Sequence, residues 1–317
     1  MPEEAVRGQG DGATPFAYVV SRLGIVSVLD ITTNTVVDRI DVGPVREPTG
    51  IAIAPDGKRV YVTNFDSLTV IDTATNTISN LIPVDNPISV AISPDAKHAY
   101  VASASTDPTV SILETTTNLI VTAVPLTKIV GSTARQMGVT VTPDGKCAYV
   151  MSSGTVSVLD TGTHTVVATV AVDPQLGGPA TVPLAVSPDG KNIYVPSGQG
   201  LAVIDTSTNT IAATLSTGGV TGLAIQPNGK NLYVIHDRVL VRVIDLITNV
   251  QIAVIQRGAT GIAVAPDGEH AYVLSRPNLL LVFETATNAV VSEIPIEDGD
   301  DFTAVVIAPA PRLGQNS

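Results

Sequence analysis

The sequence predicts an all-β fold, a single seven-bladed β-propeller with four antiparallel strands per blade. Three observations predict it: seven evenly phased tyrosines, seven strand-closing acids, and a recurrent Pro-Asp-Gly turn. The tyrosines are Tyr18, Tyr61, Tyr100, Tyr149, Tyr194, Tyr233 and Tyr272, and the chain has no others. From the second onward each follows a proline by six residues: Pro55, Pro94, Pro143, Pro188, Pro227 and Pro266. The acids are Asp30, Asp72, Glu114, Asp160, Asp205, Asp245 and Glu284, each ending an apolar alternating run. The resulting period of 39 to 49 residues suits one four-stranded blade.

Each part of the repeat has a local reason. The first strand is short and apolar, as in Gly50-Ile51-Ala52-Ile53-Ala54. Pro55-Asp56-Gly57 is turn chemistry: Pro presets φ, Asp caps the turn, and Gly takes positive φ. Arg59 to Asn64 forms the second strand and Leu68 to Asp72 the third. The closing acid precedes Thr and Asn, so its carboxylate is expected to accept local backbone or hydroxyl hydrogen bonds. The tyrosines are expected to be half-buried strand residues with a polar tip. The first copy lacks a first strand of its own. Ala304 to Pro309 supplies it, so the C-terminal strand completes the N-terminal blade and closes the ring, removing free edges. Residues 16–310 form the propeller, with residues 1–15 and 311–317 as flexible ends.

Tyr61-Val62-Thr63-Asn64 gives the chain a further signature. Over roughly residues 16 to 310 it resembles the YVTN-type β-propeller family, close to the YncE-like proteins. That resemblance implies the fold, and implies that function sits on the channel-mouth face. The residues that match are the ones that build blades, so they assign no chemistry.

Composition narrows the function classes. With 17 basic and 29 acidic residues the formal charge is −12, which argues against nucleic acid or a membrane as partner. Cys147 is the one cysteine, so no intramolecular disulfide forms, and it reads as a strand residue. The N-terminus has no secretory pattern, which predicts a cytoplasmic protein, or a secreted one whose signal has been removed. A monomer is expected. No zinc-type Cys/His set, phosphate loop or nucleophile elbow is present.

Candidate functional residues are those that break the repeat on one face. Counting back five from each first-strand proline gives small residues: Gly50, Ser89, Gly138, Pro183, Gly222, Gly261 and Ala304. Counting back three gives Ala52, Ala91, Thr140, Ala185, Ala224, Ala263 and Val306. Both sets are expected to pack closely where the strands converge. Each second strand ends at the rim of the functional face: Ser21, Asn64, Ser103, Ser152, Ser197, His236 and Ser275. His236 is the exception, and Asp237 and Arg238 follow it. His98 and His270 fall on the opposite face, and His164 replaces a turn Asn. Two inter-blade loops are long, residues 125–136 with Lys128, Arg135 and Gln136, and residues 173–182 with Gln175. Further rim residues are Arg22, Arg46, Glu47, Phe65, Arg257, Arg276 and Phe302. The acids Glu297, Asp298, Asp300 and Asp301 lack metal-type spacing, so no metal site is assigned, and the cofactor stays unspecified with a divalent cation as a minor option.

Two functions follow. The first is a binding module that takes a small molecule or a protein at the channel mouth through Arg22, Arg46, Asn64, Phe65, Arg135, Gln136, Arg238, Arg257, Arg276 and Phe302. The second is an enzyme, because propellers that this chain resembles include lactone hydrolases, lyases and cyclases. It would use His236 as acid/base, Asp237 or Glu47 as its partner, and Arg22 or Arg276 as an anion clamp. The chain departs from the lactonase-like pattern, having no ring of Glu, Asn and Asp ligands on its first strands. A third reading, a surface-layer or adhesion protein, also comes from the resemblance.

Overall fold

A computed structural model describes residues 16–43, 50–105, 107–127, 136–152, 154–173, 181, 183–296 and 302–308. These form seven four-stranded antiparallel sheets. Blade 1 is made of Phe302–Ile307, Phe16–Ser21, Ile25–Asp30 and Thr35–Asp41, in that spatial order. The C-terminal strand therefore pairs with the N-terminal one, Val306 facing Tyr18. Blades 2 to 7 follow in chain order, each a meander running outward from the axis. Their inner strands are Ile51–Ile53, Pro87–Ile92, Met137–Val141, Ala185–Val186, Val220–Ile225 and Gly261–Val264. Each inner strand touches the next around the ring, and the last touches the first. No helix of the described residues is long and apolar enough to cross a membrane.

The small residues counted back three from proline all sit opposite a repeat tyrosine: Ala52, Ala91, Thr140, Ala185, Ala224 and Ala263 face Tyr61, Tyr100, Tyr149, Tyr194, Tyr233 and Tyr272. Directly opposed residues share a sheet face, so the tyrosine ring extends over a small neighbour. The tyrosines are more buried than expected, none above 5% exposed. The reason is that the core is not one mass but seven clusters, one between each pair of adjacent blades. Tyr100 belongs to the cluster of blades 3 and 4, and Tyr149 to that of blades 4 and 5.

Turn chemistry follows expectation. Gly57, Gly145, Gly190, Gly229 and Gly268 take φ of 71 to 74° after their Pro-Asp or Pro-Asn. The carboxylates of Asp30, Asp72, Asp160, Asp205 and Asp245 accept from the backbone two and three residues on. Glu114 and Glu284 instead accept from Thr117 and Thr287 hydroxyls. Asn34, Asn76, Asn118, His164, Asn209, Asn249 and Asn288 all sit at φ of 53 to 57°, the left-handed region that Asn and His tolerate best among side-chain-bearing residues. A one-residue irregularity recurs between third and fourth strands in all seven blades, as at Val28/Leu29 and Val282/Phe283. Such bulges increase twist and blunt the outer edge against pairing with another chain.

Candidate functional site at the channel mouth

A cavity of about 240 Å³ opens where the inner strands converge. All seven blades line it, among them Gly50 and Ile51, Ser89 and Val90, Val139, Leu184, Gly222, Gly261 and Ala304. The expected close packing is true of strand against strand, but not of the axis. Gly50 shows the first half: a Cβ there would lie 2.7 Å from the Ile88 carbonyl oxygen of blade 3. The Gly50 N–H donates to Thr63 Oγ1 at 2.8 Å, and the Thr63 N–H donates back to the Gly50 carbonyl at 2.9 Å. Neighbouring strands are thus drawn together, while their short side chains leave the centre open.

Three arginines border this cavity: Arg22, Arg238 and Arg276. Arg22 and Arg276 directly follow Ser21 and Ser275 in the turns after the second strands of blades 1 and 7. Arg238 lies in the matching turn of blade 6. There Asp237 and Arg238 have φ of 47 and 60°, and the Val239 N–H closes the turn on the His236 carbonyl at 2.9 Å. Two positive-φ central residues match the twist of a hairpin, although Asn-Gly is the usual pair. The Asp237 N–H donates to the Gly219 carbonyl at 3.0 Å, and the Ala259 N–H donates to the Arg238 carbonyl at 3.2 Å. Both flanking segments therefore hold the Arg238 backbone in place. Phe302, at the start of blade 1's inner strand, is buried and lines the same cavity.

His236 and Asp237 stand on this face but do not line the cavity. The His236 Nε2 lies 3.4 Å from an Asp237 carboxylate oxygen, with the imidazole 22% exposed. Gly218, at φ +76°, lies against the ring, and a Cβ there would fall 2.3 Å from Cε1. The Nδ1 atom is buried.

Other sequence candidates sit elsewhere. Asn64 is buried, and its amide donates to the Val42 carbonyl at 2.9 Å and to Thr69 Oγ1 at 2.7 Å, tying blade 2 to blade 1. Gln136 is buried just before the inner strand of blade 4. Phe65 is exposed on its turn. Arg257 pairs with Glu293 of blade 7 at 3.1 Å, beside the outer strands. Arg46, Glu47, Arg135, Lys128, Gln175 and the acids at 297–301 lie outside the described residues, as do both chain ends. Of the long loop at 173–182, Thr181 forms a parallel bridge with Met137, and its hydroxyl donates to the Ile88 carbonyl of blade 3 at 3.2 Å. That end of the loop reaches the cavity wall, which Thr181 helps to line.

Sequence reading passed over the threonines. Thr221, Thr260 and Thr303 precede Gly222, Gly261 and Ala304 and line the cavity. Their hydroxyls donate to the carbonyls of Ile235, Leu274 and Val20 at 3.5, 3.5 and 3.2 Å. The available signal was phase: blades 6, 7 and 1 each combine a mouth arginine with a threonine at this place. Also missed was Asp267, Glu269 and His270, whose ligating atoms lie within 4.8 Å of one another. Among the described residues this is the group with metal-ligand chemistry. It sits at the start of blade 7's second strand, on the face opposite the mouth. In blades 2 to 6 the position of Glu269 is Lys58, Lys97, Lys146, Lys191 and Lys230. Lys97, Lys146 and Lys191 pair there with Asp95, Asp144 and Asp189. Cys147 begins the second strand of blade 4, where burial, then Asp144 and Asp160, push its thiol pKa up, which disfavours the nucleophilic thiolate.

The fold has close counterparts among solved structures. Hydrazine synthase of Kuenenia stuttgartiensis aligns at 21% identity and TM-score 0.67, over 94% of this chain and 99% of that one. A functionally unknown protein from Desulfotomaculum acetoxidans DSM 771 aligns at 17% identity and TM-score 0.73, over 93% and 99%. The dihydro-heme d1 dehydrogenase NirN, in complex with DHE, aligns at 17% and TM-score 0.64, over 96% and 77%. No family model matches the chain, and no curated protein matches it. The class defined by fold and neighbours is a seven-bladed β-propeller, and at these identities the likeness carries the fold alone.

Proposed function

We propose that this protein is a binding propeller that holds a small molecule at the mouth of its central channel. One observation carries the reading: a cavity of about 240 Å³ to which all seven blades contribute. Its size is below the roughly 300–1,000 Å³ of sites for drug-sized ligands, which favours a small metabolite over a peptide. The expectation that function sits on this face, drawn from the YVTN-type resemblance, supports the reading. The test is a thermal-shift screen of small metabolites on the full chain and on Thr221→Trp, which fills the cavity. Compounds that stabilise the parent should fail on the variant. Stabilisation that survives Thr221→Trp throughout would overturn the reading.

An enzymatic reading has the His236–Asp237 contact of 3.4 Å in its favour. It assigns acid–base work to His236 at the edge of the mouth, oriented by Asp237. Conversion of a bound compound that persists in His236→Ala and Asp237→Ala would reject that assignment.

A further inference from the structure

The turn that opens the second strand of blade 7 differs from its equivalents in ligand chemistry. It reads Pro266-Asp267-Gly268-Glu269-His270, and blade 3 reads Pro94-Asp95-Ala96-Lys97-His98 at the same place. The two frames also agree across the sheet. His270 stands opposite Glu284 and His98 opposite Glu114. Each glutamate accepts a threonine hydroxyl at 2.7 Å, from Thr287 and Thr117. Two changes separate them. In blade 3 the Asp95 carboxylate accepts the Ser93 hydroxyl at 2.6 Å and pairs with Lys97 at 4.0 Å. In blade 7 those places hold Ala265 and Glu269, so the hydroxyl is gone and the ammonium has become a second carboxylate. The ligating atoms of Asp267, Glu269 and His270 consequently lie within 4.8 Å of one another, whereas Asp95, His98 and Glu114 form no such group.

We propose that Asp267, Glu269 and His270 bind a divalent transition-metal ion of the zinc class, on the face opposite the channel mouth. The site is independent of the channel-mouth reading. Zinc bonds to carboxylate and imidazole of about 2.0–2.2 Å set neighbouring ligand atoms about 3–3.5 Å apart. The remaining gap is within reach of the long, exposed Glu269 side chain. The backbone beneath is fixed. The Ala265 N–H donates to the His270 carbonyl at 2.8 Å, the Thr285 N–H to the Glu269 carbonyl at 2.9 Å, and the Gln226 amide of blade 6 to the Gly268 carbonyl at 2.9 Å. The imidazole selects the metal: two carboxylates alone suit magnesium, calcium or manganese, and a histidine beside them shifts the preference to zinc, nickel or copper. Three protein ligands leave coordination positions to water, so the ion should exchange readily.

The experiment is isothermal titration of zinc chloride into the metal-stripped, tag-free full chain. One saturable site is expected, and calcium should bind at least about tenfold more weakly because it prefers oxygen ligands. Glu269→Lys rebuilds the blade 3 turn, so its melting curve without metal should match the parent. Its zinc affinity should fall by at least about tenfold, the lower end for disturbing even an indirect partner of a metal ligand. His270→Ala should lose as much, and His98→Ala, the same residue in blade 3, should lose nothing. Cobalt adds a readout of place: its visible absorption band on binding should vanish in His270→Ala and persist in His98→Ala. No saturable zinc binding at millimolar metal would overturn the site. Binding as tight in Glu269→Lys and His270→Ala as in the parent would overturn it equally, and calcium binding as tightly as zinc would overturn the role of the imidazole.

Discussion

Tyr149 of blade 4 donates its phenolic hydrogen to Asn209 Oδ1 of blade 5 at 2.7 Å. Tyr18 and Tyr233 reach Asn76 and Asn288 of their own next blades in the same way, at 3.3 Å. In blades 1, 4 and 6 the tyrosine that marks the repeat is therefore a fastener between repeats. Its ring joins the inter-blade core while its hydroxyl reaches a turn on the neighbour. Tyr149→Phe should cost about 1 kcal/mol, since it also strands the Asn209 oxygen. Asn209→Gly should cost a similar amount, because it removes the acceptor and keeps the φ of 53°. Asn209→Ala should cost about 1 kcal/mol more, for forcing a Cβ into the left-handed region. Denaturant unfolding of the three variants checks the order.

The same burial sets an alkaline limit. Desolvation pushes the Tyr18, Tyr100, Tyr149, Tyr233 and Tyr272 phenols up to about 12, and raises Tyr61 and Tyr194 as well. A folded pKa above the unfolded value of about 10 means that the stabilisation is whole below pH 10 and is lost as pH rises toward 12. Seven tyrosines share this sign, so the dependence should be steep. Phenolate absorbance and far-ultraviolet circular dichroism, followed together from pH 9 to 12, should change in one transition. Phenolate appearing well before unfolding would contradict it.

Blades 3 and 4 carry an acid-side counterpart. His164 replaces the turn Asn, and its ring meets that of His98 with centroids 5.8 Å apart and planes at 69°. Burial lowers the His164 pKa, the nearby His98 lowers it further, and Asp160 opposes both. A depressed folded pKa means that the stabilisation is present above about 6.5, the unfolded value, and is lost as pH falls through the folded one. Melting temperature should fall between pH 7.5 and 5 in the parent, and less so in His164→Asn, which restores the repeat residue. Equal losses in both proteins would show that the pair is not responsible.

Much of this was legible in the sequence because a repeat states its own register. Counting from proline picked out Ala91 and Thr140 as inner-strand residues in phase, and the structure sets them opposite Tyr100 and Tyr149. The place of Asn or His164 after the acid marked a turn, and the structure puts that residue in the left-handed region. The site was less legible. His236 is conspicuous as a lone histidine, yet the cavity lies inward of it. Arg22, Arg276 and Arg238 were noticed singly, but their sector appears only when three blades are laid in phase and the ring is closed. Thr181 has no repeat counterpart, so nothing in the pattern announced that it would cross to Ile88. Glu269 was hidden differently: its meaning is the lysine that the other turns carry and this one lacks.

Two glycines separate close approach from mere tolerance, and they give opposite signs for one substitution. At Gly50 a Cβ would meet the Ile88 carbonyl oxygen at 2.7 Å, Ser89 Cα at 2.9 Å and Thr63 Oγ1 at 3.1 Å. The first two are backbone of the next inner strand, which cannot retreat without moving blade 3. Gly50→Ala should therefore destabilise by about 1–3 kcal/mol, the range for overpacking. It should also alter the stabilisation given by small metabolites bound at the mouth, because Gly50 and Ser89 both line the cavity. At Gly162, in the turn after Asp160, the nearest atom to a Cβ is Asp160 Oδ1 at 3.5 Å, an ordinary contact. Ala74 and Ala286 hold the same repeat position in blades 2 and 7. Gly162→Ala should stabilise by about 0.4–1 kcal/mol by restricting the unfolded chain, and should leave metabolite binding at the mouth untouched. Parallel urea titrations of the two variants decide it. If Gly50→Ala proved as benign as Gly162→Ala, the inner strands would not be held at the separation that shapes the channel mouth.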